Sequence, residues 1–359
     1  MAGSSRKPDD AAIAAVVADV AARAWLGLPA TWPGHLYHVT DVQNAAAILT
    51  EGRFFSRAEA TRRELMAMDN AHPRIIAEAP ASLRSQVRLY FRPRTPTFAV
   101  NEGLHRAAAR DSGEDAHCPV PVAFVLDAPA VLGRAGARFS RGSLARWTVE
   151  PAIGESAAFL AALPWHDIYN IEQIPSSSDC EDVDDLTEEA RNECRRADRI
   201  RYHRQSEVIV PDALPLDSLI RVGVRSHAEW RTLQAVLADR GAPEDLMAKV
   251  GVDAQLFVRN QPHTQDARYN PHTGTIRVTF AGRMAHGIVM DAAIAWESPV
   301  GRVIEGAPVI GFKPNLSLLL EVPAALRGEA FRLTIWIEGA FAFSAWFSPA
   351  SEQMIPPLR

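Results

Sequence analysis

The feature that most limits how this chain can fold is a change of texture close to Gly251. Before it, short strand-like runs alternate with amphipathic segments. After it, from Leu256 to Phe347, runs such as Thr275-Ile-Arg-Val-Thr-Phe, Ser317-Leu-Leu-Leu-Glu-Val and Phe331-Arg-Leu-Thr-Ile-Trp-Ile follow one another between Gly, Pro and Asn. Strands interleaved with helices form mixed layers, whereas strands joined only by turns have one another to pair with. An α+β domain with a mixed, split β-sheet is therefore expected over residues 1–251, and an all-β, immunoglobulin-like sandwich domain over 252–359. At 359 residues the chain has room for two ordinary cores.

Within the first part, alanine, valine and isoleucine recur from Ala11 to Leu26 at helical spacing, and Gly27 and Pro29 end that run. His35 to Thr40 reads as a strand. Thr40 or Asp41 can cap the helix behind it, whose Val42, Ala45, Ala46 and Leu49 share a face and which Gly52 stops. Val87–Phe91, Pro121–Leu126, Ser206–Val210 and Leu219–Val224 read as further strands. Ser226-His-Ala-Glu229 is a capping box ahead of Trp230, Leu233, Val236 and Leu237. Between Pro175 and Arg201 the chain turns polar, first SSSDCEDVDDL and then acids among arginines, which predicts a mobile loop leading into a short helix.

Several chemistries are set aside at once. A formal net charge of -5 does not suit a protein that coats nucleic acid through bulk electrostatics, so any such role must rest on a local site. Cys118, Cys180 and Cys194 are too sparse to frame a disulfide scaffold, which favours a reducing, cytoplasmic setting. No apolar run approaches the ~20 residues that span a bilayer, and MAGSSRKPDD lacks the apolar core of a secretory signal. P-loop, GxGxxG and HExxH patterns are absent. His35 and His38, three apart in a strand, point to opposite faces and make a poor metal pair, so no metal is expected.

The chemistry-bearing residues fall in three places. In Tyr37-His38-Val39-Thr40 the period of two sends His38 and Thr40 to one face and Tyr37 and Val39 to the other. His38 is then either a ligand-binding group at a strand end or a satisfied core histidine. Tyr90-Phe91-Arg92-Pro93-Arg94-Thr95-Pro96 runs a strand into a proline-stiffened turn. Its Arg94 is suited to bidentate binding of a phosphate or carboxylate, or to a surface ion pair. In Arg201-Tyr-His-Arg204-Gln205-Ser206-Glu207-Val208-Ile209-Val210, alternation puts Gln205 and Glu207 on one face. A carboxylate in so apolar a strand must meet solvent, a ligand or a cation, with Arg201 and Arg204 as the nearby cations.

The order of these pieces resembles the DarT-type DNA ADP-ribosyltransferases, toxins of bacterial toxin–antitoxin and phage-defence systems. YHVTDVQNAAAIL comes first, then YFRPRTPTF, FSRGSLA at 139–145, LPWHDIY at 163–169 and RYHRQSEVIV last, together covering about residues 35 to 225. The resemblance implies a glycosyltransferase-class enzyme that uses NAD as co-substrate to modify a base of single-stranded nucleic acid. DNA leads as acceptor, RNA is its nearest rival, and protein comes third. By the same likeness, His38, Thr40, Arg94 and Tyr90 hold NAD, Glu207 is the catalytic carboxylate and Arg94 assists at the reaction centre. The QxE pair Gln205 and Glu207 is similar to the signature of the wider transferase fold. The polar stretch 170–204, with Arg201 and Arg204, stands where the substrate-recognition loop would be.

That chemistry accounts for the residue types. Cleaving the nicotinamide–ribose bond develops positive charge on the ribose, which a carboxylate beside the sugar stabilises, and the same carboxylate can take the proton of the attacking base. A different class of function, a binding module on a degenerate transferase fold, is disfavoured because His38, Arg94 and Glu207 are all present. No hydrolase-like segment accompanies them, so an antitoxin is expected to be a separate protein. The β-rich tail, which lies outside the resemblance, is expected to recognise a partner or extend a nucleic-acid groove, and residues 1–251 to fold without it. Its Trp296, Trp336 and Trp346 are read first as core aromatics and second as a stacking surface for bases.

Overall fold

The computed structural model describes residues 6–23, 25, 27–68, 81–106, 117–145, 152–176, 178–180, 187–258, 260–283 and 288–357. The acidic run 181–186 of the expected loop lies outside them. In chain order the strands of the first part are β1 (His35–Asp41), β2 (Arg53–Phe55), β3 (Gln86–Tyr90), β4 (Pro121–Asp127), β5 (Arg138–Ser140), β6 (Ile153–Gly154), β7 (Glu207–Pro211), β8 (Ala213–Pro215), β9 (Leu219–Val224) and β10 (Val250–Val252). Eight of them form one mixed sheet in the order β10-β9-β4-β1-β3-β7-β5-β6, and β2 pairs with β8 beside it.

Local signals set most element ends. Asp41 caps helix Val42–Glu51 by accepting from Gln43 N, and Gly52, at φ 68°, closes it in the left-handed conformation. Ser226 caps helix His227–Asp239 by accepting from Glu229 N at 3.1 Å. The first helix is shorter than expected, Asp10–Ala22, because the indole of Trp25 donates to Val20 O at 2.9 Å, a carbonyl the next helical turn would have used. The expected short helix after the polar loop is instead sixteen residues long, Glu188–His203, capped by Thr187.

The cysteine expectation is corrected too. Cys180 and Cys194 form a disulfide that ties the turn Ser178–Cys180 to helix Glu188–His203, and Cys118 alone is a buried free thiol. Sparse cysteines brought together by a helix are invisible to spacing rules, so the count does not argue for a reducing compartment. Among the described residues no helix is long and apolar enough to cross a membrane.

The tail is all-β, as its texture predicts. Its strands are β11 (His263–Asn270), β12 (Thr275–Ala281), β13 (Met290–Glu297), β14 (Val303–Glu305), β15 (Val309–Phe312), β16 (Leu318–Glu321), β17 (Phe331–Ile337), β18 (Ala340–Ser348) and β19 (Ser351–Ile355). They make one antiparallel sheet, β14-β13-β17-β18-β19-β11-β12-β16 with β15 also on β13, which curls into a half-barrel. Its two limbs enclose a common core in which Tyr269 of β11 meets Phe331 of β17 at 5.2 Å. Trp296 and Trp346 are buried in the tail, and Trp336 packs on the first core, so their reading as packing aromatics holds.

The break foreseen near 252 falls inside β10, which pairs in parallel with β9 of the first sheet. Leu256 and Phe257, just beyond it, pack with Tyr37, Ala123 and Val125. Helix His227–Asp239 is shared by the two parts. Arg332 of β17 forms a fork with Asp239 at 2.8 and 2.7 Å, and Ser344 N donates to Thr232 Oγ1 at 3.1 Å. Phe341 of the tail belongs to the first core, and Leu104 and Ala228 of the first part belong to the second.

Beneath this junction lies a buried charge cluster. Arg225 donates to Glu102 Oε1 at 2.8 Å and to Glu229 Oε1 at 3.0 Å, while Glu102 Oε2 accepts from Val258 N at 3.0 Å. One guanidinium faces two carboxylates, and burial pushes Glu102 up to about 7. Because that value lies above the ordinary ~4.3 of a glutamate, the folded state holds the proton more tightly, and this contribution is lost as pH rises towards 7. Arg225→Met should cost about 3–5 kcal/mol at pH 8, where both acids lose their cation and must either stay charged or take up protons from a solution poor in them. The deficit should shrink as pH falls towards 6. Denaturant melts at the two pH values measure this, and wild-type stability at pH 8 would show that the cluster does not hold the junction.

Candidate active site in the split of the first sheet

β1 and β3 are neighbours, yet they share a single register pair, Tyr37 opposite Tyr90. Beyond it the strands part. The ring of His38 takes over from the missing ladder, its Nδ1 lying 3.1 Å from Arg88 O. A carbonyl can only accept, so Nδ1 carries the proton and Nε2 is left as an acceptor. Burial lowers the pKa of His38 below its ordinary value, which keeps the ring neutral. Tyr37 and Val39 turn to the opposite side, against Ala123, Val125, Leu256 and Phe257, as alternation predicts. His38 meets Phe54 at 5.1 Å and Phe124 at 6.2 Å.

A cleft opens in the gap. His38 and Thr40 of β1 line one side, Gln86, Arg88 and Tyr90 of β3 the other, and Phe55, Leu65 and Met66 supply an apolar wall. Asn44, which sequence reasoning did not single out, binds this wall in place. Its Nδ2 donates to Met68 O at 2.6 Å and to Thr40 Oγ1 at 3.3 Å, and its Oδ1 accepts from Ala67 N at 2.8 Å. Arg57, also missed, adds a second cation to the lining beside Arg88.

Glu207 begins β7 opposite Tyr90 and is 1% exposed. Its carboxylate is gripped by Arg88, Nε to Oε2 at 2.5 Å and Nη2 to Oε1 at 2.6 Å, and Oε1 also accepts from Leu144 N at 3.1 Å. Burial, and then the Glu207 charge, raise the pKa of the Tyr90 hydroxyl above its usual range. Burial opposes the charge of Arg88, but the neighbouring carboxylate more than restores it and raises the guanidinium value. The FSRGSLA segment builds the other side of this grip: Ser140 Oγ accepts from Glu207 N at 3.0 Å, and Ser143 Oγ donates to Gln205 Oε1 at 3.4 Å. Gln205 itself precedes the strand, so it shares with Glu207 a contact segment and not a strand face.

The pairing of Glu207 with Arg201 or Arg204 does not form. Both arginines bind the preceding loop instead, Arg201 donating to Pro175 O at 2.6 Å and Arg204 to Asn170 Oδ1 at 2.6 Å and Glu172 O at 2.7 Å. Helix Glu188–His203 turns them that way. Arg94 lies outside the cleft lining, where it donates to Gln255 O at 2.7 Å and sits 5.1 Å from the Trp32 ring. The partner of Glu207 that sequence reasoning missed is Arg88. Its signal was present: Val87-Arg-Leu-Tyr-Phe and Glu207-Val-Ile-Val are apolar strands carrying one opposite charge each.

A family model described as "ssDNA thymidine ADP-ribosyltransferase, DarT" matches residues 37–257. Among solved structures, Thermus sp. 2.9 DarT in complex with carba-NAD+ is similar at 18% identity, covering 63% of this chain and 98% of that chain, with a TM-score of 0.43. No curated protein matches the chain.

Asn44→Ala removes every side-chain bond that ties residues 67 and 68 to helix Val42–Glu51. The amide of Ala67 should then exchange with solvent at least ~10-fold faster, since each lost bond is worth about 1 kcal/mol. Hydrogen exchange read at that peptide checks it, and unchanged protection would mean the wall is held by its apolar contacts alone.

Proposed function

The chain belongs to the DarT family of ssDNA thymidine ADP-ribosyltransferases, and from that premise we propose that the cleft between β1 and β3 receives NAD and that Glu207 carries out the transfer. The observation that bears most weight is the carboxylate of Glu207, held almost without exposure in the fork of Arg88, which itself lines the cleft together with Arg57. Residues of that lining suit NAD. His38 offers Nε2 to a hydroxyl hydrogen, Thr40 and Tyr90 offer hydroxyls, Arg57 suits the pyrophosphate, and Phe55, Leu65 and Met66 suit an aromatic ring.

In this reading the glycosidic bond to nicotinamide breaks, nicotinamide leaves with the bonding pair, and a ring nitrogen of thymine bonds to the ribose carbon. Glu207 faces the positive charge that develops on the sugar and takes the proton released by the base. Gln205, Arg201 and Arg204 lie on the acceptor side, with Gln205 next to the Glu207 grip and the arginines fixing the loop at 170–175. Arg94 assists from outside the lining by holding the segment at Gln255, next to Leu256 and Phe257 under β1.

The wider role follows the family. Acting on single-stranded DNA with NAD, both found in the cytoplasm, such an activity suits a toxin or phage-defence effector restrained by a separate antitoxin protein. The half-barrel is the recognition or sensor domain, and we place the division between Phe257 and His263, past the end of the first sheet's packing.

Two outcomes test this. Incubated with labelled NAD and matched thymidine-containing DNA, thymidine-free DNA, RNA and protein, the chain should label only the first, as located by mass spectrometry. Glu207→Gln should lower that rate ~100-fold or more without loss of fold, because the amide keeps the shape and loses the charge; most of the activity surviving would make Glu207 a structural residue. For His38 the expectation concerns pH. With its pKa below the ordinary ~6.5, NAD affinity should stay level from pH 8.5 to 7 and weaken only on the acid side of that ordinary value, as Nε2 gains a proton. Calorimetric titration across that range checks it, and a fall in affinity already at pH 7.5 would contradict the neutral-acceptor role.

A further inference from the structure

Arg88 stands between the cleft and the carboxylate. It lines the cleft, with its side chain 31% exposed, whereas Glu207 is 1% exposed and reaches the cleft wall through it. Arg88 is the register partner of Ile209, and its guanidinium crosses diagonally to Glu207, so that Nε and Nη2 each take one carboxylate oxygen. Nη1 has no partner among the described residues. Holding β3 to β7 does not require this pair, because Val87 opposite Val210 and Leu89 opposite Val208 already close the two strands with apolar contacts. A buried ion pair is a poor stabiliser when apolar neighbours would serve, so its presence here calls for another reason.

Taking Glu207 as the reacting group, as in the reading above, we propose that Arg88 is its positioning residue: the planar fork fixes the direction in which the carboxylate faces the sugar. Rotation about the last side-chain bond of a glutamate is broad when nothing restrains it. Two parallel N–H bonds from Arg88, with Leu144 N–H on Oε1, remove that freedom before the substrate arrives. Preorganisation of this kind acts on the chemical step and not on substrate affinity. An ammonium group supplies the charge but not the plane, which makes lysine the informative replacement.

The experiment uses the full chain with NAD and thymidine-containing single-stranded DNA, comparing wild type, Arg88→Lys, Arg88→Gln and Glu207→Gln. In Arg88→Lys the expected result is a near-normal melting temperature, NAD affinity within about threefold of wild type, and kcat lowered ~100-fold for transfer, with NAD hydrolysis lowered in parallel. A merely structural arginine would be rescued by lysine in both stability and kcat. The inference is overturned by Arg88→Lys turning over within threefold of wild type, by a loss confined to NAD affinity, or by both Arg88 variants failing to fold. Activity surviving in Glu207→Gln would overturn the reading of Glu207 and this inference together. Activity lost in Glu207→Gln but kept in Arg88→Lys would overturn the inference alone.

Discussion

An ionised carboxylate cannot sit unpaired between apolar strands, and the arrangement of the first sheet answers to that constraint at Glu207. Isolated in a medium of low polarity, the group would cost several kcal/mol and would take up a proton instead. The fork from Arg88 and the amide of Leu144 offset that cost, and each makes a demand on the fold. Arg88 can reach only if β3 lies beside β7 in the observed register, and Leu144 only if the FSRGSLA segment runs back over the start of β7. The position of β3 in turn brings Tyr90 opposite Tyr37, which sets where β1 and β3 touch and therefore where they part.

How much of this was legible depended on distance along the chain. The alternation through Tyr37, His38, Val39 and Thr40, the Asp41 cap and the Gly52 stop were all readable, because each is decided by neighbours within a few residues. Glu207 was readable as a carboxylate in need of a partner, but the partner was not, since Arg88 is 119 residues away and two nearer arginines competed for the part. Those nearer cations are carried off by a helix longer than its polar composition suggested. Arg94 was placed by the stiffness of its proline turn, which fixes the backbone but says nothing of the carbonyl at Gln255 that takes its guanidinium. The disulfide was lost for the same reason, as only the helix brings Cys194 back to Cys180.

The tail shows a different limit. Its strands announced themselves, and their aromatics were correctly assigned to packing, yet texture marks where strands begin and not which sheet they join. β10 straddles the expected break and pairs with β9 of the first sheet. Helix His227–Asp239 is amphipathic in the ordinary sense and so reads as belonging to one core. In the fold it is gripped by Arg332 and Ser344 on its other side and works as common ground between the sheet and the half-barrel. A disturbance in the tail therefore has a direct route to β9 and β4, next door to β1.

The single Tyr37–Tyr90 pairing has a mechanical meaning. Along the line where β1 meets β3 the sheet is two plates riveted at one point, with β10, β9 and β4 on one plate and β7, β5 and β6 on the other. In an unbroken ladder, prising two strands apart would forfeit about 0.5–1.5 kcal/mol for each backbone bond given up. Between β1 and β3 those bonds were never made, and beyond the rivet the His38 ring bonds Arg88 O, while β2 paired with β8 ties the two plates at the side. The seam is therefore a hinge line already cut: β2 and β8 act as its hasp, and the carboxylate stays anchored wholly on one jaw.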